Sequence, residues 1–411
     1  MDIILDPFAE KKAPPAASAE APAAEAQPEE TAEKADEPAP AQEAPAEAQP
    51  QTAPAEEEPA APEKSEHKTH EKKRSEKNAY TYPYRKRKRH RARIIVPVLI
   101  LAVLLSLFIV VTHSWNDEIV TYDTSNPYIT PYGQTMVSAH RSGGGIFPEN
   151  TLMAFEGCVT SKDFKTDIFE FDLHITKDGK LILLHDDTLD RTTDSEEVFG
   201  VTGARPEDYT LAELKTLNFG DGFIDDNGNA PYRGLKGSAV PASLHAATLE
   251  EVLELLEKSG DYRYIIEIKN RKELGYDAAD ALYGILKSKK LLDKAVVGTF
   301  NAEVTRYIDE QFPDMYRSAS IAEVLEFYVS ALLDLKCAPG YYKYKALQIP
   351  ANQFVIKLGT SRITNYAHKN NIAVQYWTIN APEDMQYLKD INADCVMSDV
   401  PDTAYGVLNA K

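Results

Sequence analysis

With 411 residues and a formal charge of −19, the chain has the length for two or three domains, and it is too acidic to offer a general nucleic-acid surface, which needs clustered lysine and arginine. Three cysteines, Cys158, Cys337 and Cys395, provide no disulfide framework. Cys158 and Cys395 lie in apolar runs and suit small core positions.

Residues 13–66 are almost entirely Ala, Pro, Glu and Gln, with Thr31 and Thr52 the only β-branched side chains. Such a stretch cannot bury enough apolar surface to offset its ordering entropy, so residues 1–78 are expected to form a disordered tail. The next segment, 79–93, is basic, carrying Arg85, Lys86, Arg87, Lys88, Arg89, Arg91 and Arg93. It runs straight into an apolar stretch over 94–111, interrupted only by Pro97 and Ser106. That pattern predicts a single transmembrane helix over 94–112. The stretch begins too far from the N-terminus for a cleaved signal peptide, so it reads as a retained anchor. Its basic flank should stay cytoplasmic, which places the tail inside and everything after His113 outside the cell membrane. A buried helix beside a nucleic-acid patch is the competing reading, and the length and lack of charge of the span count against it. Residues 113–134, with Asn126, Pro127, Pro131 and Gly133, suit a short stalk lying on the membrane or on the domain that follows.

Over 135–405 short β-branched runs alternate with amphipathic helical stretches, the pattern of an α/β domain with a largely parallel sheet. Strands are expected at 136–140, 168–173, 181–185, 264–268, 295–300, 316–320, 346–349, 373–378 and 395–398. The clearest helix covers 249–258, where Leu249, Val252, Leu253, Leu255 and Leu256 form a stripe and Gly260 provides a stop. These candidates number one more than the eight places in a TIM (β/α)8 barrel, so one strand is peripheral. Lys177, Asp178 and Gly179 read as a tight turn that would make the second and third runs a hairpin. The long connection over 187–248, with a short helix at 211–217, is expected to form a lid or a substrate-facing lobe.

Ionisable residues fall at strand ends, where a buried strand tolerates charge only if it is paired or used. His140 and Arg141 follow the first run, Glu170 and Asp172 lie in the second, His185 and Asp186 end the third, and Glu267 and Lys269 close the fourth. In a barrel these ends converge on one mouth. Glu170 and Asp172 share a strand face, and Glu267 would complete a set of hard oxygen ligands suited to Mg2+ or Ca2+, with Mn2+ as a further option, rather than zinc. The bland alternative for the first two is the exposed face of an edge strand. Phosphodiester cleavage needs one proton removed from the nucleophile and one delivered to the leaving alkoxide, tasks that His140 and His185 could share. Arg141 and Lys269 would offset charge on the phosphoryl oxygens.

The motifs Ala139-His140-Arg141, Pro148-Glu149-Asn150-Thr151, Glu170-Phe171-Asp172, Thr176 to Gly179, His185-Asp186 and Arg191-Thr192-Thr193 together resemble the glycerophosphodiester phosphodiesterase family. The resemblance continues through 249–253, Glu267-Ile268-Lys269, 377–380 and Ser398-Asp399-Val400-Pro401. It implies a TIM barrel, a divalent cation on Glu170, Asp172 and Glu267, and a catalytic pair at His140 and His185. It also implies hydrolysis of glycerophosphodiesters to glycerol 3-phosphate and an alcohol, with Arg141 and Lys269 on the phosphate and Trp377 on the glycerol side. Glu149 and Asn150 would support the site. One departure is Ser142, where the family pattern has glycine directly after arginine; Gly143, Gly144 and Gly145 follow. The reading is therefore a membrane-tethered phosphodiesterase acting on deacylated phospholipids, lysophospholipids or glycerophosphate polymers. Its rivals are a barrel that binds without hydrolysing, and an enzyme whose substrate hydroxyl attacks to give a cyclic phosphate.

Overall fold

The computed structural model describes residues 84–410 apart from 354 and 355. The expected tail over 1–78 and the start of the basic segment lie outside the described residues. In chain order the elements begin with α1 (Tyr84–Thr112), β1 (Met136–Ala139), α2 (Leu152–Thr160), β2 (Ile168–Ile175), β3 (Leu181–Leu183), α3 (Ser195–Phe199) and α4 (Leu211–Leu214). Then come α5 (Leu249–Ser259), β4 (Arg263–Ile268), α6 (Lys272–Lys289), β5 (Ala295–Gly298), α7 (Ala302–Gln311), α8 (Ile321–Leu332) and β6 (Ala346–Ile349). The chain finishes with β7 (Asn352–Gln353), β8 (Ile356–Lys357), α9 (Ser361–Lys369), β9 (Ala373–Tyr376), α10 (Pro382–Asp390), β10 (Cys395–Ser398) and α11 (Pro401–Leu408).

The main sheet runs β5-β4-β2-β1-β10-β9-β6 in parallel. Its two ends are joined by the segment expected as a strand at 316–320. That segment makes one bridge to each side, Val297 with Arg317 and Ser318 with Ala346, rather than a full strand. The barrel is thus nearly closed. The peripheral strand is β3, which pairs antiparallel with the end of β2. The turn that reverses the chain is fixed locally: Lys180 N donates to Thr176 Oγ1 at 2.9 Å, and Gly179 supplies a left-handed φ of +73°.

Alternation along each strand sorts side chains into two environments. Phe169, Phe171 and Leu173 of β2 face outward and pack with Val252, Leu253 and Leu256 of α5 and with α6. Burying each such side chain contributes about 1.5–3 kcal/mol. Interior-facing Met136, Ile168, Ile265, Val296, Ala346, Ala373 and Cys395 form an apolar plug. One pleat further along come Ser138, Glu170, Glu267, Gly298, Gln348 and Gln375, so a polar layer lies above the plug toward the strands' C-terminal ends. At Gly298 a Cβ would come within 2.9 Å of Gln348 Oε1 and 3.1 Å of Ser318 Oγ, so a larger residue would push these polar ends aside.

The 187–248 connection has its own small core, with Leu189, Leu214, Leu217, Phe219 and Ala246 packed beneath α3 and α4. Its short helix stops at Leu214, earlier than the expected 217. Residues 113–134 lie on the domain as a strap along α9. Near its start, Arg362 N donates to Trp115 O at 3.2 Å and Ser361 N to Asn116 Oδ1 at 3.1 Å. Further along, Asn365 Nδ2 donates to Glu118 O at 2.7 Å, and Asn126 Nδ2 to Lys345 O at 2.7 Å. The strap ends at the base of the barrel, where Tyr128 is fully buried in the interior plug.

Among the described residues no helix is long and apolar enough to cross a membrane. Within α1, side chains are described over 94–110, and Ile94, Leu99, Leu101, Val103, Leu104, Leu105 and Phe108 on all its faces are exposed.

Candidate active site

Strand register decides which charged groups meet. Ala139 of β1 pairs with Phe169, so Glu170 stands level with His140, while Asp172 of β2 pairs directly with Glu267 of β4. These carboxylates project to the interior side, above the apolar plug, at the mouth of the barrel. His174, two residues on and facing the same way, is also buried, and neither ring nitrogen has a protein partner. Burial pushes its pKa down to about 4, so it is a neutral imidazole.

His140 follows the end of β1. Its Nδ1 lies 2.6 Å from Asp399 Oδ1, and its Nε2 lies 3.9 Å from Glu170 Oε2. With Nδ1–H donated to Asp399, Nε2 is the nitrogen presented to the site. Burial alone would push the His140 pKa down, but Glu170 and the bond to Asp399 together hold it above its ordinary value. Asp399 is held in turn by Asn380 Nδ2, which donates at 2.7 Å. This orienting carboxylate was not assigned a role from the sequence, although it sits in the Ser398-Asp399 motif. His185 has the same arrangement on a neighbouring residue: Nδ1 lies 2.7 Å from Asp186 Oδ1.

A polar chain runs from the His185 imidazole to the Arg141 guanidinium. Arg191 donates to Asp186 Oδ2 at 2.5 Å and to both oxygens of Glu149 at 2.8 and 2.7 Å. Glu149 Oε1 also lies 3.4 Å from Arg141 Nη1. Glu149 therefore positions two arginines, and Arg191 joins the site. Asn150 donates to Asp172 Oδ2 at 3.0 Å. The loop holding these groups is bent sharply, with left-handed φ at Arg141 (48°), Ser142 (62°) and Asn150 (57°). Such geometry costs on the order of 1 kcal/mol or more per non-glycine residue and persists where surrounding contacts enforce it.

The carboxylates are electrostatically strained. Glu170 is pushed up to about 8, first by burial and then by the neighbouring Asp172, despite the Arg141 N–H that donates to it at 2.6 Å. Burial opposes ionisation of Asp172 too, yet Lys269, His185 and Arg141 hold it well below the usual carboxylate range. Lys269 Nζ bridges Asp172 at 3.6 Å and Glu267 at 3.0 Å. Among the described residues no group of three or more His, Cys, Asp or Glu is arranged around a common metal position. The donor chemistry nevertheless fits a hard divalent cation: three carboxylates share one side of two adjacent strands, and the Glu170–Asp172 repulsion is what a bound cation would relieve.

Trp377 follows β9 at the mouth, where its ring meets that of Phe300 edge to face with centroids 6.2 Å apart. The predicted site residues therefore come from within β2, at Glu170 and Asp172, and from the ends of the other strands or the loops beyond them. Asp399, Asp186, Arg191 and Asn380 are the additions.

A parallel barrel whose mouth gathers two carboxylate-held histidines, an arginine and a lysine among acidic groups defines a hydrolase site built for an anionic substrate. Residues 140–403 match the model of the glycerophosphoryl diester phosphodiesterase family, and the chain belongs to that family. It is a phosphoric diester hydrolase acting on glycerophosphodiesters. A glycerophosphodiester phosphodiesterase of Bacillus subtilis is 29% identical over 291 residues, spanning 66% of this chain and 85% of its own. The corresponding enzyme of Caldanaerobacter subterraneus is 26% identical, spanning 66% of this chain and 96% of its own. Among solved structures, a phosphodiesterase from Oleispira antarctica in complex with the product sn-glycerol-3-phosphate has the same fold, with a TM-score of 0.52, 22% identity and coverage of 67% of this chain and 98% of its own.

Proposed function

We propose that this domain hydrolyses glycerophosphodiesters to glycerol 3-phosphate and an alcohol by a two-histidine mechanism that depends on a divalent cation, and that α1 tethers it to the outer face of a cell membrane. The observation that carries the chemistry is the matched pair of imidazoles. His140 and His185 each have Nδ1 on a carboxylate, which fixes the tautomer and leaves Nε2 to exchange a proton. One takes a proton from the attacking water, whose oxygen bonds to phosphorus, and the other gives a proton to the departing alkoxide as its bond to phosphorus breaks. Arg141 Nε is buried without a hydrogen bond, with Asp172 Oδ2 at 3.9 Å in ion-pair range only, and a phosphoryl oxygen would satisfy it. Lys269 supplies a second positive charge, and Trp377 with Phe300 offers an apolar wall to the glycerol carbons. Glu170, Asp172 and Glu267 would hold the cation, which when bound stabilises negative charge on the phosphoryl oxygens.

The tether rests on the sequence over 94–112 and its basic flank, a span longer than the part of α1 whose side chains are described, 94–110. It is supported by the exposure of apolar side chains around α1, since a helix apolar on every side needs an apolar solvent. The test of the chemistry is release of glycerol 3-phosphate from glycerophosphocholine with Mg2+ or Ca2+ added. Turnover that stops with EDTA and returns with either ion is expected. EDTA-insensitive turnover would overturn the role of the cation, and no turnover under any condition would overturn the catalytic reading in favour of a binding module.

A further inference from the structure

The outer face of α8 is apolar, although it faces away from the core. Ile321, Leu325, Val329 and Leu333 recur every fourth residue and form one stripe, with Leu325 59% and Leu333 65% exposed. The inward residues Phe327, Tyr328 and Ala331 are already buried against the barrel. Beside the stripe lies a groove of about 700 Å³ whose lining includes Leu325, Val329, Leu335 and Tyr341. A contiguous exposed apolar surface of this kind marks a site of contact.

The path of the chain indicates what covers it. The strap begins where α1 ends, at Thr112, and is fixed to the barrel by Trp115, whose carbonyl accepts from Arg362 N and whose ring lies 4.8 Å from the Arg362 guanidinium. Three residues of chain span at most about 10 Å. Arg362 also donates from Nη1 to Leu332 O, at 3.5 Å, at the C-terminal end of α8. The Arg362 side chain therefore reaches from the anchor point down to the base-ward end of the apolar stripe, so anchor and stripe share one side of the barrel. The anchor point itself lies at the mouth end of the barrel, because Trp115 and Asn116 bind residues at the start of α9, after β6 has emerged toward the mouth, whereas Asn126 binds Lys345 and Asn371 at the base.

We infer that the outer face of α8, which runs along the barrel wall from mouth to base, rests on the bilayer beside the anchor, so that this wall of the barrel lies against the lipid surface. This rests on the reading of α1 as a membrane anchor. With at most about 10 Å of chain between α1 and the barrel rim, the domain has no freedom to stand clear of the headgroups. Lys336, at the edge of the groove, is placed to extend its ammonium to the phosphates while its methylenes lie on the apolar face.

The test uses the full chain reconstituted in phosphatidylcholine–phosphatidylglycerol vesicles. Cys337 is changed to Ser, because Cys158 and Cys395 are buried and unreactive, and a nitroxide is placed singly at Leu325, Leu333, Leu101 or Leu274. Collision rates with oxygen and with a water-soluble nickel chelate report the surroundings of each label. The inference expects the Leu101 label in hydrocarbon, the Leu325 and Leu333 labels at the lipid interface with nickel collisions reduced about fivefold or more relative to the Leu274 label on α6, and no broadening between labels. Leu101 in hydrocarbon with Leu325 and Leu333 in water would overturn the inference and leave the anchor standing. Leu101 in water would overturn the anchor and the inference with it. Spin–spin broadening at Leu325 or Leu333 would show that a second copy, rather than lipid, covers the face.

Discussion

The two sides of the barrel treat charge differently. On the side built from β1, β2 and β4, Glu170 and Asp172 oppose each other across one pleat, Arg141 keeps a buried donor unused, and Lys269 is shared between carboxylates. On the side built from 316–349, β9 and β10, ions are matched and satisfied. Arg317 makes paired bonds to both Asp309 and Glu323 at 2.6–2.8 Å, and buried Asp394 accepts from His368, Val374 N and Thr130 N. The first side is organised for a ligand not made of protein. The second holds the barrel shut and carries the strap. It reaches into the mouth chiefly through Trp377 and the Asn380–Asp399 pair. Charges left in tension mark chemistry, and charges brought to rest mark scaffold.

Substitutions should separate the two sides. His140→Ala is expected to lower turnover of glycerophosphocholine about 10²–10⁴-fold with little change in a urea melt, and an equal loss of stability would erase the distinction. Arg317→Met should do the reverse. It strands two partly exposed carboxylates, so a loss of about 2–3 kcal/mol in the urea midpoint analysis is expected, with turnover within about twofold of the parent. Asp399→Asn tests the one group that crosses between sides, and turnover should fall about 10–100-fold. Removing the negative charge also lowers the His140 pKa, so the acid limb of the rate profile should move to lower pH; an unmoved limb would show that Asp399 does not act through His140.

Acid titration gives a smaller contrast. Burial works against ionisation of Glu323, but Arg317 and the Ser320 amide overcome it and hold its pKa below the ordinary value. Its folded pKa is depressed, so its contribution is present above about pH 4.3 and is lost as pH falls through the folded value. Between pH 5 and 3 the parent should lose stability more steeply than Glu323→Gln, by at most about 1.4 kcal/mol per pH unit. Smallest of all, Ser142→Gly relieves a left-handed φ of 62° and should raise stability by up to about 1 kcal/mol, measured by the same melts.

Much of this was legible in the order of residues because it is local. β6 and β10 fall where the sequence places them, α5 extends its expected range by one residue, and the Lys177–Gly179 turn specifies the β2–β3 hairpin. The charged strand ends announced the mouth, since period-two alternation puts Glu170, Asp172 and Glu267 on the interior side wherever the strands are parallel. What the sequence could not show was pairing at a distance. The span 316–320 has strand composition, but its neighbours allow only single bridges. Asp399 reaches His140 across 259 positions, and no spacing rule identifies such a partner. Of the two courses open to 113–134, along the membrane or on the domain, the structure takes the second, and its partners on α9 are what the sequence could not name.

That strap sets an order of events for synthesis. Val120 and Asn365 are 245 positions apart, so as the chain emerges N-terminus first the residues next to α1 must wait until nearly all of the domain has been made. The entropic cost of closing so long a loop grows only slowly with its length, but the closing step depends on late-arriving partners. The first described residues of the domain and its last helices and strands are therefore completed together, and the base of the barrel stays uncorked until Tyr128 finds its seat.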